Sequence, residues 1–314
     1  MIRYYQKQDK KIVELEVRQA SCWINISPPF NQEELESLAQ QLHVPYEFFS
    51  DSLDLDERSR YEVEDDVQLI VLKTPVVNEN EVISAVYSTV PVGIINTPEH
   101  LITISSYENP VIDLFLQNRV KGFRPDDKTR FILQLMQHAT ARFLNCLKDL
   151  NQKRNQIEAE LYSSMRNEEI KKLLSIEKSL VFFVTALRSN EILMLKMHNT
   201  NMLGTKNNEE WKDMMEDSLV DTSQALEMSH TYTNILSGTM DAYASIISNN
   251  LNIIIQHLTI VTIVLMVPNL VFSFFGMNLK IGLENESNVI WLVLSLSILT
   301  TALLLLFFRR RRMF

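Results

Sequence analysis

The stretch NLVFSFFGMNLK, residues 269–280, carries an apolar run into a glycine, a methionine and an asparagine. It closes a longer segment, residues 251–277, that contains no Asp, Glu, Lys or Arg. A second charge-free run of 20 residues follows at 289–308. A bilayer core about 30 Å thick needs about 20 helical residues, so each run is long enough to cross it. The sequence therefore predicts transmembrane helices at 251–277 and 289–308, joined by an extracytoplasmic loop at 278–288.

The charged residues are distributed very unevenly. Of 30 basic and 39 acidic residues, five basic and two acidic ones lie beyond residue 250, which leaves the first 250 residues strongly acidic. An acidic domain repels nucleic acid and attracts cations, so no nucleic-acid partner is expected. The cysteines Cys22 and Cys146 have no metal-ligand spacing and are interpreted as reduced core thiols, which suits a cytoplasmic location.

Four arginines directly after the second run set the orientation: Arg309, Arg310, Arg311 and Arg312. Short basic flanks stay in the cytoplasm, and with two spans the N-terminal region is then cytoplasmic as well. The N-terminal residues lack the apolar region of a cleavable signal peptide. We expect a multi-pass protein of the cell (inner or plasma) membrane with both termini cytoplasmic. The basic tail could form a cationic collar at an inner pore mouth, or could simply bind anionic lipid.

The region before the two spans divides into two parts. Residues 11–107 contain five β-branched runs, KIVELEV, SCWINIS, VQLIVLKTPVV, AVYSTVPVGIIN and HLITISSY, and one helical pattern at 32–42. Between Pro125 and Gly204 no Gly or Pro occurs and apolar residues recur at helical spacing, which predicts one or two very long helices. A further helical run starts near Glu209 and crosses Gly238 toward the first span. We predict an α+β membrane protein with a cytoplasmic α/β domain (1–125), a long-helix stalk (126–250), the two spans and a basic tail (309–314).

A polar stripe follows one face of the first span. At about 100° per residue, seven residues share an arc of about 100°: Asn252, Ile255, Thr259, Thr262, Met266, Asn269 and Ser273. Small polar residues on such a face can serve helix packing in membranes. The alternative is a pore wall of hydroxyls, carboxamides and apolar constrictions, with no fixed charge. Two helices enclose no aqueous path, so a conducting form has to be an oligomer.

The triplet Gly276-Met277-Asn278, at the outer end of the first of two C-terminal spans, resembles the signature of the CorA magnesium transporter family. The early CWINI at 22–26 and the Asp241-Ala242-Tyr243 before the first span are similar to family sequences as well. The resemblance covers essentially the whole chain. It implies a homopentameric funnel in which the first span of each subunit lines a central pore.

The resemblance also implies roles for individual residues. Gly276, Met277 and Asn278 correspond to the selectivity filter, with a ring of Asn278 carboxamides accepting hydrogen bonds from the waters of a hydrated cation. Asn269 and Asn252 would repeat that contact deeper in the pore, and Met266, Leu258 and Ile255 would form apolar constrictions. Three positions depart from the family pattern and bear on ion preference: Phe275 in place of Tyr, Asn269 in place of a threonine, and Ile255 in place of a methionine.

The stretch 51–66, DSLDLDERSRYEVEDD, holds eight carboxylates but lacks the spacing of a Ca²⁺-binding loop. By composition it is predicted to be a solvated acidic loop. The resemblance instead places Asp51, together with Asp217, at an intersubunit site for a regulatory divalent cation. Paired oxygen ligands suit Mg²⁺, which retains several waters when bound.

The predicted function is uptake of Mg²⁺, with Co²⁺, Ni²⁺ or Zn²⁺ transport on the same scaffold as the alternative. Zn²⁺ favours imidazole or thiolate ligands, and none lies on the polar stripe. In the outer loop, Glu284 and Glu286 could concentrate cations, or could have no effect. A membrane-anchored sensor or enzyme is a more distant alternative, because the six glycines and six histidines form no nucleotide-binding or catalytic motif.

Overall fold

The structure is a computed structural model that describes residues 1–8, 11–78, 84–163, 167–277 and 289–310. Its backbone divides into two compact units, Met1–Ser237 and Gly238–Phe314. The first unit contains a mixed sheet with helices on both faces, and the second contains two apolar helices. Each unit is described by itself below.

The first unit is organised around a seven-stranded sheet with the strand order β2-β1-β3-β7-β6-β5-β4. Strands β3 and β7 are parallel, and all other neighbouring pairs are antiparallel. The sheet therefore combines a hairpin at one edge with a four-stranded meander at the other. The strands are β1 Ile2–Gln8, β2 Lys11–Leu15, β3 Trp23–Ile26, β4 Arg60–Glu64, β5 Val67–Val77, β6 Tyr87–Asn96 and β7 Leu101–Ser105.

Within the described residues, seven α-helices accompany the strands. They are α1 Gln32–Leu42, α2 Tyr46–Leu53, α3 Pro110–Leu116, α4 Lys128–Ser163, α5 Asn167–Thr200, α6 Glu209–Phe275 and α7 Val289–Arg310. Asparagines begin several of these helices by accepting backbone hydrogen bonds: Asn31 from Glu33, Asn109 from Val111, and Asn208 from Glu210. Pro110 at the start of α3 fits the same pattern, because the first helical N–H has no intrahelical partner.

The two faces of the sheet carry separate hydrophobic cores, because successive side chains on a strand point to opposite faces. Trp23 lies in the core formed with α3, α4, α5 and the first part of α6, and the adjacent Ile24 lies in the core formed with α1 and α2. The Trp23 ring contacts Phe131 with centroids 5.0 Å apart, and its N–H donates to Thr103 Oγ1 at 2.8 Å. The central strand β3 therefore joins both cores.

Helix α2 approaches the sheet closely at one point. Ser52 is completely buried there and faces Gly93 on β6. A Cβ at position 93 would overlap the Ser52 hydroxyl and lie 2.8 Å from Ile104 Cγ2. Only glycine leaves room for α2 at this distance from the sheet, so Gly93 sets the position of the helix.

Most of the predicted elements are confirmed. The five β-branched runs coincide with β2, β3, β5, β6 and β7, and the helical pattern at Gln32–Leu42 is helix α1. The stretch without Gly or Pro forms the long helices α4 and α5, and the helical run from Glu209 continues through Gly238 and Pro268 to Phe275.

The prediction of an acidic loop at 51–66 is wrong. Helix α2 extends to Leu53, and Arg60–Glu64 form the edge strand β4. Of this strand only Tyr61 is buried, while Val63 and Glu64 are exposed. The residues of β4, RYEVE, do alternate polar and apolar side chains as a strand does, so the acidic composition of 51–66 outweighed a strand pattern that was present.

We expect Gly93→Ala to lower the stability of the protein, because overpacking a close contact costs about 1–3 kcal/mol or more. The measurement is the midpoint of thermal unfolding of the detergent-solubilised protein. Gly238→Ala is the matched control, since nothing lies within 4 Å of its added Cβ. In a helix interior this change should stabilise by about 0.5–1 kcal/mol. Equal midpoints for the two variants would contradict the assigned contact.

Candidate functional site

The polar stripe of α6 is uncovered in the structure. All seven of its members are exposed, including the apolar Ile255 at 58% and Met266 at 63%. Leu258, the other predicted pore-lining residue, lies beside the stripe and is 65% exposed. The stripe consists of Asn252, Ile255, Thr259, Thr262, Met266, Asn269 and Ser273.

The covered face of α6 lies on the other side of the helix. Ile260 and Val271 are buried, and five further residues are partly buried at helical spacing. At about 100° per residue this face is centred roughly opposite to the stripe. The partly buried residues are Ile263, Val264, Val267, Pro268 and Phe275.

Helix α7, the other helix of this unit, has a matching covered face. Val293, Ser297 and Phe308 are buried at intervals that place them on one side of the helix. Between them, Thr300 and Thr301 are partly buried, and the Thr301 hydroxyl donates to the Ser297 carbonyl at 2.8 Å. The covered side of α6 thus carries apolar residues and that of α7 carries small polar residues as well, and burial within this unit leaves the polar stripe of α6 uncovered.

The hydroxyls of the stripe are oriented by the helix backbone. Thr259 Oγ1 donates to the Ile255 carbonyl and Thr262 Oγ1 donates to the Leu258 carbonyl, each at 2.8 Å. With its proton held by the helix, each hydroxyl oxygen can still accept a hydrogen bond from outside. Among the described residues, the carboxamides of Asn252 and Asn269 have no hydrogen-bond partner. The stripe thus presents neutral oxygen acceptors and carries no charge.

Gly276 and Met277 follow the end of α6. The Gly276 N–H donates to the Phe272 carbonyl at 2.9 Å, and the Met277 N–H to the Phe274 carbonyl at 3.4 Å. Gly276 lies in a turn but is not among the glycines with a left-handed φ, and a Cβ there would lie 3.1 Å from the Phe272 oxygen. Its backbone therefore does not require glycine through a positive φ.

Several predicted site residues lie outside the described residues: Asn278, Glu284, Glu286, Arg311 and Arg312. Arg309 and Arg310 are the exposed last residues of α7.

Asp51 lies in the last turn of α2 and is engaged within the chain. Its Oδ2 accepts a hydrogen bond from Arg60 Nη2 at 2.6 Å. The same guanidinium donates to Glu57 Oε1 at 2.7 Å and contacts Glu62 as well. One arginine therefore holds three of the eight carboxylates of this segment. The sequence analysis did not single out Arg60.

A buried lysine holds another part of the acidic segment. Lys73 on β5 is 8% exposed, and its ammonium donates to the Leu55 carbonyl at 2.5 Å. Burial lowers the pKa of Lys73, while the nearby carboxylates of Asp56, Asp54 and Glu57 act in the opposite direction. Arg60 and Lys73 together offset two of the eight negative charges that the sequence concentrates here.

Asp217 is exposed on α6, and it has no ion pair among the described residues. Within those residues, no group of three or more His, Cys, Asp or Glu side chains is arranged to hold a metal ion. One copy of the chain thus supplies Asp51 and Asp217 as separate carboxylates rather than as a preformed centre.

Both cysteines are free thiols buried in the first unit. Burial raises the pKa of Cys22, and raises that of Cys146 to about 11. The interpretation as reduced core thiols is confirmed. Both are poorly reactive near neutral pH, because the thiolate is the reacting form.

An α/β soluble domain, a long helix and two candidate C-terminal spans, α6 and Ile290–Arg310, define a membrane protein whose first span carries an uncovered polar face. A sequence profile described as "CorA-like Mg2+ transporter protein" matches residues 18–310. The chain belongs to the CorA family.

Individual relatives agree with this assignment. The cobalt/magnesium transport protein CorA of Methanocaldococcus jannaschii is 27% identical over 287 residues, which cover 88% of this chain and 86% of the relative. The complete structure of the CorA magnesium transporter from that organism matches with a TM-score of 0.80 at 24% identity, over 99% of this chain and 98% of the other.

More distant structures share the fold alone. The full-length CmaX protein gives a TM-score of 0.66 at 13% identity and covers 97% of each chain. The ZntB cytoplasmic domain from Vibrio parahaemolyticus gives 0.61 at 11% identity, over 79% of this chain and 98% of the domain. As a CorA-like protein, this chain is a divalent cation transporter of the membrane and not an enzyme.

We expect cysteines on the stripe to react with a charged, water-soluble thiol reagent, because water has to reach a conducting surface. Thr259→Cys and Ser273→Cys in lipid nanodiscs should react at least about tenfold faster than their neighbours Ile260→Cys and Val271→Cys, where the thiolate cannot form in an apolar contact. Labelling is measured by mass spectrometry. The unchanged chain is the background control, since its thiols are buried. Faster labelling of the covered face would refute the assignment of the two faces.

Proposed function

We propose that the chain is one subunit of a homopentameric channel for Mg²⁺ uptake, with the polar stripe of α6 lining the pore. The observation that supports this proposal is the position of the stripe on α6. The stripe is continuous, uncharged and exposed, and it lies roughly opposite to the face that is covered within the same unit. A surface of neutral oxygen acceptors is costly to leave in lipid and useful along a path for hydrated ions.

Oligomerisation follows from the number of spans. Two helices leave no lumen between them, and one face of α6 is already occupied. The stripe can therefore meet water only if copies of α6 surround a common axis. The α/β domain at 1–125 and the stalk at 126–250 would then form the cytoplasmic part of each subunit.

The chemistry of the stripe suits a cation that keeps its water. Mg²⁺ dehydrates reluctantly, so a pore that removed all its ligated water would impose a large barrier. Carboxamide oxygens of Asn252 and Asn269 and hydroxyl oxygens of Thr259 and Thr262 can accept hydrogen bonds from those waters. A ring of Asn278 side chains, with Gly276 and Met277, forms the outer filter in this proposal. The exposed Ile255, Leu258 and Met266 provide apolar constrictions that can lose water and close the path.

Co²⁺ is the second candidate ion, favoured by the name of the Methanocaldococcus jannaschii relative, which includes both metals. Ni²⁺ and Zn²⁺ have less support, because the stripe offers neither imidazole nor thiolate. His257 is exposed on α6 but does not belong to the stripe.

The proposed orientation places both termini in the cytoplasm, with the basic residues Arg309–Arg312 at the inner surface against anionic lipid. The short loop at 278–288 then faces outward with Glu284 and Glu286, whose charge would raise the local concentration of cations.

Regulation is proposed to involve Asp51 of one subunit and Asp217 of its neighbour. Both carboxylates fit a hydrated divalent cation, since Asp217 is exposed and the Asp51 side chain is 36% exposed, which leaves room for the waters that Mg²⁺ retains. When bound, such a cation supplies positive charge that relieves the repulsion between the carboxylates. With the cation bound, the two side chains favour a closed ring of subunits. Without it, the repulsion between Asp51 and Asp217 favours opening.

The test of the pore is Mg²⁺ influx into proteoliposomes, followed with a magnesium-sensitive dye. We expect Asn278→Ala and Asn269→Ala each to reduce the influx by about tenfold or more, because a hydrogen bond to a charged group contributes about 1.5–3 kcal/mol. Asn249→Ala, an exposed asparagine of α6 off the stripe, is the matched control and should conduct normally. Undiminished influx through both stripe and filter variants would refute the proposed path.

The test of regulation is the conductance of Asp51→Asn/Asp217→Asn channels against Mg²⁺ on the cytoplasmic side. We expect half-inhibition to require about tenfold more Mg²⁺ or more, because the variant loses charged ligands while keeping the side-chain size. Asp213→Asn, one turn earlier on the same exposed helix, is the control and should behave like the unchanged chain. Unaltered inhibition in the double variant would eliminate this site.

A further inference from the structure

Arg60 contacts the carboxylate that the proposed regulation depends on. Its guanidinium donates to Asp51 Oδ2 at 2.6 Å and to Glu57 Oε1 at 2.7 Å, and it also contacts Glu62. Among the described residues, Arg60 is the cation that pairs with Asp51. A guanidinium and a hydrated cation approach a carboxylate through the same oxygen lone pairs.

We propose that Arg60 is a built-in competitor of the regulatory cation at Asp51 and so sets the Mg²⁺ concentration at which the transporter responds. This inference rests on the proposed role of Asp51 and Asp217. Arg60 acts on the site without being one of its ligands, and its presence raises the Mg²⁺ concentration that the site requires.

The pair is held by two fixed elements. Asp51 belongs to α2, whose position is set by the contact of the neighbouring Ser52 with Gly93. Arg60 opens strand β4, where its backbone is paired with Val71 of β5. Exposed ion pairs generally contribute little because both side chains have to be ordered. Here both backbones are already fixed, and the three carboxylates restrict the guanidinium further, so Arg60 remains beside Asp51.

The size of the effect follows from Coulomb's law. A single positive charge about 6 Å from a divalent cation, at the dielectric constant of water, lowers the affinity for that cation by about tenfold. Three carboxylates around one guanidinium leave a net negative charge, so the segment still attracts cations. Arg60 thus weakens the site without abolishing it.

The segment also supplies a matched control. Arg58 lies two residues earlier, is exposed, and has no ion pair or hydrogen bond among the described residues. Replacing either arginine by glutamine changes the net charge of the same segment by the same amount. Only Arg60→Gln removes a charge that contacts Asp51.

The experiment measures the rise in the thermal unfolding midpoint of the full-length protein in detergent as MgCl₂ is added, at constant ionic strength. A ligand that binds only the folded form stabilises it by RT ln(1 + [L]/Kd), so the Mg²⁺ concentration that produces a given rise of the midpoint reports binding without transport. We expect Arg60→Gln to reach a given rise at about tenfold less Mg²⁺ than the unchanged chain. Arg58→Gln should require the same concentration as the unchanged chain.

Arg60→Lys keeps the charge but lacks the forked donors that reach three carboxylates, and we expect a smaller decrease in the required Mg²⁺. This variant also decides the question if Arg60→Gln does not fold. An unchanged or increased Mg²⁺ requirement in the Arg60 variants, or an equal decrease in Arg58→Gln, would overturn the inference.

The same titration on Asp51→Asn/Asp217→Asn distinguishes a wrong regulatory site from a wrong role of Arg60. If the double variant responds to Mg²⁺ like the unchanged chain, the regulatory site itself is wrong, and the role of Arg60 is wrong with it. If the double variant loses the response while Arg60→Gln needs the same Mg²⁺ concentration as the unchanged chain for a given rise, the site stands and only the competition is refuted.

Discussion

The membrane part of the chain depends on which side of α6 is buried. Ile260 and Val271 are buried on this helix, and Val293, Ser297 and Phe308 are buried on α7. Burial of one side of α6 leaves the opposite side for other partners. That side carries the carboxamides and hydroxyls of the stripe, and under the proposed function it is the surface that meets ions.

The pattern of the sequence predicted the elements that bury many apolar side chains. The strands β5 and β6 follow from β-branched apolar runs, and the long helices α4 and α5 and the stripe of α6 follow from a helical spacing that repeats over many residues. The short elements around Asp51 were missed because the acidic composition of this segment outweighed the five-residue alternation of β4, RYEVE, which buries only Tyr61. The pairing of Asp51 with Arg60, nine residues apart, depends on how α2 and β4 lie on the sheet, and no local pattern encodes that. For the same reason the sequence could not distinguish Arg60 from Arg58.

The acidic segment shows why carboxylate content alone is a poor guide to metal binding. Arg60 and Lys73 bring positive charge from inside the chain to carboxylates that composition leaves unbalanced. If Asp51 binds the regulatory cation as proposed, Mg²⁺ has to compete there with Arg60, so the concentration required depends on both cations.

The contact between Ser52 and Gly93 fixes the distance of α2 from the sheet, and therefore the position of Asp51 on that helix. A methyl group added at Gly93 would displace α2, and with it the carboxylate of Asp51, although no charge had changed. Under the proposed regulation, such a variant would alter the response to Mg²⁺. Altered ion sensitivity in variants of this chain would then have to be traced to buried apolar and glycine positions as well as to acids.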